Sequence, residues 1–343
     1  MTDRENWLRA IEFRSPERIP CSVSLSPATW REHREALEEL VLAHRLLFPD
    51  HESGSVDYDY NPPGYEGTFR DNWGCLWYAV PDGTGMEGQV IESPLADWRA
   101  LDSYRTPDVE TKTERGERDW NEVAERLRLA EQKGLPRRGS GERLFDRLYL
   151  LRGFENLMID IATEDERLPR LIDLLVDHEL ALVRKWLDIG VDAIGFHTDI
   201  GTQKALMISP RQFRKYIKPM FKEIFSVCRE AGAHVLLSSD GRLLEIVDDL
   251  INCGVSRHDP QLRANTLAGI EAAYKGELCI ELDLDRQMFP FCTPQDIRRQ
   301  IEDVIARLGS PEGGLMISGS ISGPNVPLQN IEALCSALEE LCW

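Results

Sequence analysis

Positive charge is scarce in this chain. Lys and Arg number 40 against 59 Asp and Glu, a formal net charge of −19. Sequence-independent binding to nucleic acid needs a surplus of cations to displace counterions, and docking on anionic lipid needs the same surplus. Both partner classes are set aside, although a few local arginines could still hold an anionic substrate. Long apolar runs are missing too, and none approaches the roughly 18 residues that span a membrane. The eight cysteines are dispersed, with no C-x-x-C, so thiols in a reducing cytoplasm are the simplest expectation. No secretory signal is visible, because residues 1–13 read as a charged amphipathic helix. No H-x-H or H-E-x-x-H offers zinc a ready ligand set. No G-x-S-x-G elbow, GK[ST] or Gly-rich dinucleotide fingerprint occurs either.

What is present is alternation. Three acidic residues each sit just past a short apolar run: Asp199 after residues 191–196, Asp240 after 235–237, and Asp285 after 278–282. Long stretches with helical periodicity lie between them. Parallel strands joined by helices place their C-terminal ends on one rim, so residues far apart in sequence can meet there. A capping box, Thr2 with Glu5, predicts a first helix. Residues 19–25 predict a strand and 27–47 a helix. Residues 51–92, rich in aromatics, Gly and Pro, read as a β-hairpin excursion with a turn at Asp82-Gly83. A charged helix is expected over 111–134, then a basic loop over 134–141, a strand at 148–151 and a long helix over 166–187. Ser209-Pro210 and Thr293-Pro294 mark further helix starts. Val255 centres a very short strand ending at His258, and the last strand is expected over 314–317. About eight strands result. The fold class is α/β, a (β/α)8 TIM barrel with an N-terminal helical extension and a hairpin insertion, all one domain over residues 1–343.

Four clusters could carry chemistry. His197 and Asp199, two residues apart beyond a strand, could act as an acid/base or orienting pair; a helix-entry loop satisfying its own backbone accounts for them as simply. Ser238, Ser239 and Asp240 could face a substrate, or Asp240-Gly241 could be a plain turn. His258 closes a third strand and could bind substrate, though a lone His is more often structural. Asp283, Asp285 and Arg286 make the fourth cluster, which an internal ion pair would also explain. The stretch 318–323 reads as a Gly/Ser loop that could cradle an anion.

The order of several short motifs resembles the uroporphyrinogen decarboxylase superfamily. The motifs are residues 6–13 (N-W-L-R-A-I-E-F), 16–20 (P-E-R-I-P), 71–77 (D-N-W-G-C-L-W), 199–203 (D-I-G-T-Q), 208–219, 285–287 (D-R-Q), Gly313-Gly314 and 327–331 (P-L-Q-N-I). They run from about residue 3 to 341. The resemblance implies a TIM-type barrel with its cleft at the strand C-terminal ends. It implies either tetrapyrrole decarboxylation or methyl transfer with corrinoid proteins or coenzyme M. Two departures matter. The decarboxylases carry an arginine-rich R-Q-A-G-R-Y stretch after the first strand, where this chain reads S-L-S-P-A-T-W over 24–30. The zinc methyltransferases carry H-x-C-G and a later Cys, where this chain has Ser238-Ser239-Asp240-Gly241 and Ser320. A neutral hydroxyl is a poor substitute for thiolate on zinc. The resemblance therefore implies methyl transfer between a small methylated substrate and a corrinoid protein, without the usual zinc site and with no tightly bound cofactor. Asp240 or His197 would protonate the leaving group, and Asp199 and Asp285 would orient substrate. Ser238, Ser239, His258 and Ser320 would line the site, and Tyr65, Trp73 and Trp77 would cover it. A pyrrole-acid decarboxylase and a non-catalytic ligand-binding barrel are the alternatives, and a homodimer is compatible with all three.

Overall fold

The computed structural model describes residues 1–60, 67–79 and 88–343. Two sheets organise them. The larger has seven parallel strands: β1 (Cys21–Leu25), β5 (Arg138–Ser140), β6 (Ala193–His197), β7 (His234–Ser238), β8 (Arg257–His258), β9 (Cys279–Asp283) and β10 (Leu315–Ile321), in the order β1-β10-β9-β8-β7-β6-β5. The smaller is antiparallel and joins β2 (Gly67–Arg70), β3 (Leu76–Ala79) and β4 (Gln89–Glu92). The expected hairpin is thus three strands, and the Asp82-Gly83 turn lies outside the described residues.

The helices cover one face of the large sheet. Side chains alternate across a strand. Ile194, Phe196, Val235, Leu237, Ile280, Leu282 and Ile317 all enter the main core with the helical residues, and Trp73, Cys75 and Trp77 of the small sheet's segment join that same core. The other face behaves differently. At its N-terminal end Ala193, Leu236, Cys279 and Met316 form a second cluster with Trp7, Ala10 and Ile11 of the helix Asp3–Ile11. Ala193 on β6 and Met316 on β10 have three strands between them. A flat sheet would hold them about 19 Å apart. Sharing one helix plug requires the sheet to curl, with the plug at its narrow bottom.

The plug is anchored at two points. Thr2 caps its helix by accepting the Glu5 N–H at 3.2 Å, while the Glu5 carboxylate accepts the Thr2 N–H at 2.9 Å. Arg4 forks onto Asp192, just before β6, at 2.9 and 2.8 Å. Arg137 joins from the other side at 3.0 Å, and hydrogen bonds from both arginines hold the buried Asp192 carboxyl down at about 2.

Four expectations are corrected. Residues 148–151 are not a strand but part of the helix Leu144–Arg152; Leu144, Phe145, Leu148 and Leu151 are all buried at helical spacing, which a four-residue window hides. The basic loop at 134–141 contains β5, whose alternation of Arg138, Gly139 and Ser140 lacks an apolar signature. The charged helix starts only at Trp120, capped by Asp119. The sheet has seven strands among the described residues, not the expected eight. Among the described residues it ends at β1 on one side and β5 on the other, because the chain between them runs into a helix and the antiparallel sheet. Among the described residues no helix is long and apolar enough to cross a membrane.

Trp7 is only 5% exposed, so Trp7→Ala should open the bottom of the sheet and cost about 3–5 kcal/mol. Urea denaturation checks this; a loss below about 1 kcal/mol would mean the helix is not a seal.

Candidate functional site

Moving up the inner face from the apolar seal, the side chains turn polar. Arg138 lies over the Trp7 ring at 4.6 Å. Arg257 pairs with Glu281 at 2.8 Å and reaches Asp259 at 3.8 Å. Above this layer come His197, Ser238, Asp283 and Ser320, each two residues further along its strand than an inner-face neighbour. Ser320 accepts the Ser24 hydroxyl at 3.2 Å and hydrogen bonds to Asp283. Ser238 donates to Asp259 at 2.6 Å.

The loops after β6 and β7 are tied together at the rim. The Thr198 N–H donates to the Ser238 carbonyl at 2.9 Å, and the Ile200 N–H to the Ser239 hydroxyl at 3.1 Å. The Asp240 N–H donates to Asp199 Oδ1 at 3.0 Å. Beside them Gly201 and Gly241 meet backbone to backbone. A Cβ on Gly241 would stand 2.3 Å from the Gly201 carbonyl carbon, and its φ of +91° also favours glycine. Asp146, on the helix after β5, accepts the Asp199 N–H at 2.8 Å.

Carboxyls therefore gather here, and burial sets their protonation. Desolvation, with the Asp199 charge added, pushes Asp146 up to about 6. Burial raises Asp259 to about 6 against the pull of Arg257. Asp283 also rises to about 6, from burial and the nearby Asp240 and Glu281, with Arg286 opposing. Its Oδ1 is buried with no hydrogen-bond partner. Asp240, exposed at the mouth, is raised by partial burial and by the Asp199 charge. The result is a set of acids poised to hold or give a proton near neutral pH.

Several sequence candidates converge: His197 is in register with Ser238, and Asp199, Asp240, Ser239 and Ser320 share the rim. Others do not. His258 faces the helices, fully buried, with Tyr274 3.1 Å from its Nδ1 and its pKa pushed down to about 3; the alternation of β8 sends Arg257 and Asp259 inward instead. Asp285 is held by Arg263 at 2.8 and 2.7 Å, and the inner position belongs to Asp283. Trp73 packs edge-on to His178 at 4.5 Å beneath Arg147, and Trp77 donates to Asp71 at 2.7 Å, so neither covers the acids. Tyr65 lies outside the described residues. Ser318–Ile321 continues β10, so no anion-cradling loop forms there. Asp146, Arg138, Arg257 and Glu281 were missed; the readable signal was the every-second-residue polarity of C-I-E-L-D in β9 and I-S-G-S in β10.

A family model described as uroporphyrinogen decarboxylase (URO-D) matches residues 85–341. The chain belongs to that family. Among solved structures, a methyltransferase from Methanosarcina mazei is similar over 99% of both chains at 15% identity, with a TM-score of 0.63. That likeness establishes the shared fold of the two URO-D-like chains. A dihydropteroate synthase from Xanthomonas albilineans with 4-aminobenzoic acid matches 60% of this chain and 68% of its own at 12% identity and a TM-score of 0.36. A D-psicose 3-epimerase matches 65% and 83% at 9% identity and a TM-score of 0.39. Both likenesses are too loose to add to the argument. Comparison with curated proteins finds no significant match.

In this URO-D family member the rim should be sensitive to small changes. Gly241→Ala should cost about 2 kcal/mol or more, from the strained φ and the Gly201 overlap, read by chemical denaturation. Asp146 binds its proton more tightly folded than unfolded, so wild-type stability falls as pH rises through roughly 4 to 6. Asp146→Asn removes that loss. Its stability relative to wild type should grow between pH 4.5 and 7.5 by on the order of 2–3 kcal/mol, and a pH-independent difference would refute the buried-acid assignment.

Proposed function

We propose that this chain transfers a methyl group from a small methylated substrate to a corrinoid held by a partner protein. The observation that carries this reading is Asp240 at the mouth. Its backbone is locked to Asp199, and its carboxyl is kept protonated longer than usual by partial burial and then by that same neighbour. Breaking a C–O or C–N bond in a methyl donor leaves the electron pair on oxygen or nitrogen. Asp240 delivers a proton to that atom as the methyl departs, and Asp199, which accepts the Asp240 N–H, fixes the acid's position. Asp283 and Ser320 sit behind Asp240 and line the reacting end of the site. The reduced corrinoid supplies the nucleophile that accepts the methyl.

Zinc activation does not suit these residues. At the positions matching the zinc methyltransferases' ligands stand Ser238, Asp240 and Ser320; the two hydroxyls bond to Asp259, Ser24 and Asp283, which leaves Asp240 as the one carboxylate of the three. Among the described residues no group of three or more His, Cys, Asp or Glu is arranged to hold a metal ion. The similarity to a methyltransferase along nearly the whole chain supports the methyl-transfer branch. The stretch 24–30 supports it too: Ser26 caps the helix Pro27–Ala43 through the Thr29 N–H at 3.2 Å, where a tetrapyrrole clamp would need arginines.

Methyl transfer from a panel of methoxy and methylamine donors, with a corrinoid protein present, tests this. Asp240→Asn should lower kcat about 10²- to 10⁴-fold while donor binding changes little. Coproporphyrinogen formation, or no transfer from any donor together with no corrinoid-protein capture, would overturn it.

A further inference from the structure

A cleft of about 880 Å³ opens beside the acids and shares His197 with that site. Its walls include Arg118, Val123, Ser140 and Trp186. Arg118 is peculiar there. Its Nη1 is buried and has no hydrogen-bond partner among the described residues. Burial works against its charge, and the only opposing groups are Glu142 and Glu179. Neither can serve as its counter-ion. Glu142 is held by Arg147 at 3.2 Å. Glu179 is fully buried, accepts the Glu142 N–H at 3.1 Å, and is pushed up to about 8, so it carries a proton at neutral pH. Three of the nearby acids are committed elsewhere, and among the described residues Glu122 makes no ion pair with Arg118. Glu114 goes to Arg147 and Arg143, Glu117 to Lys112, and Asp119 to the helix cap at Asn121. Its guanidinium lies over the Trp120 ring at 5.0 Å, and a partly desolvated cation with no anionic partner is a site suited to an anion.

We propose that this cleft binds the carboxylate of a small organic acid, held by Arg118, with the acid's apolar body between Trp186 and Val123. Trp186 is fixed for that task, since its indole N–H donates to the Ser140 carbonyl at 2.8 Å. The ligand is a monoanion. Glu117, Asp119 and Glu122 line the same cleft, and their charge disfavours a phosphate dianion. One unpaired guanidinium also matches one carboxylate and not the several of a tetrapyrrole. Resting on the methyl-transfer reading, the donor is then a methylated carboxylic acid. Its carboxylate sits at Arg118, and its methyl-bearing atom passes His197 toward Asp240.

Calorimetric titration of the full chain with acetate, benzoate and 4-methoxybenzoate, against the neutral 4-methoxybenzamide, tests the site without any turnover. At least one acid should bind, and 4-methoxybenzoate should bind about tenfold or more tighter than its amide. Arg118→Gln should erase that preference and Arg118→Lys should recover part of it. No binding by any acid, equal binding of acid and amide, or a preference that survives in Arg118→Gln overturns the proposal. Methyl transfer without a carboxylate preference would sink this site alone. Arg118-dependent carboxylate binding with no methyl transfer would sink the methyl-transfer reading alone.

Discussion

A parallel sheet that curls must furnish two faces with opposite needs. Its outer face lies under helices and has to be apolar along its whole length. Its inner face surrounds a space that narrows at one end and opens at the other. Here the inner residues change character in step along each strand: Ala193 to Gly195 to His197, Leu236 to Ser238, Cys279 to Glu281 to Asp283, Met316 to Ser318 to Ser320. The narrow end is closed by Trp7 and its helix. That seal excludes water from below, so charged groups above it sit in a poorly solvated space that opens at the rim.

Poor solvation explains the behaviour of the carboxyls better than any single contact does. Charges in a low-dielectric setting interact strongly, and unpaired ones shed their charge. Deep in the sheet the problem is solved by pairing Arg257 with Glu281. Nearer the rim it is solved by protonation, which is why Asp146, Asp259 and Asp283 all rise from burial first and neighbouring charge second. Stability is lost in keeping several acids together, and the glycine contact at Gly201 and Gly241 shows the backbone also gives up freedom to bring those loops close. Such concessions are characteristic of sites that do chemistry.

The arginines divide in the same manner. Arg137 and Arg147 each meet carboxylates on more than one side. Arg118 does not, although acids crowd the cleft it lines. That contrast arises from which acids are already engaged, and distinguishes a lattice of structural ion pairs from a recognition surface.

Much of this was legible in the residues alone. Period-two apolar runs between helical stretches dictated parallel strands, because no other pairing accommodates long helical crossovers. Asp199 and Asp240 could be placed on a shared rim for that reason, and the ordered motifs pointed to the family now shown. Register was not legible. Whether His258 or Asp259, and whether Asp283 or Asp285, faces inward depends on a one- or two-residue choice that only packing against β7 and β10 makes. β5 was hidden because its three residues carry almost no apolar signal and are strand only by pairing with β6. Proximity across the curled sheet, such as Arg138 near Glu281 or Glu179 beneath Arg118, comes from closure of the tertiary fold. Local sequence specifies the direction each strand takes and the period of its side chains, while only the folded sheet decides which distant charges share one dry space.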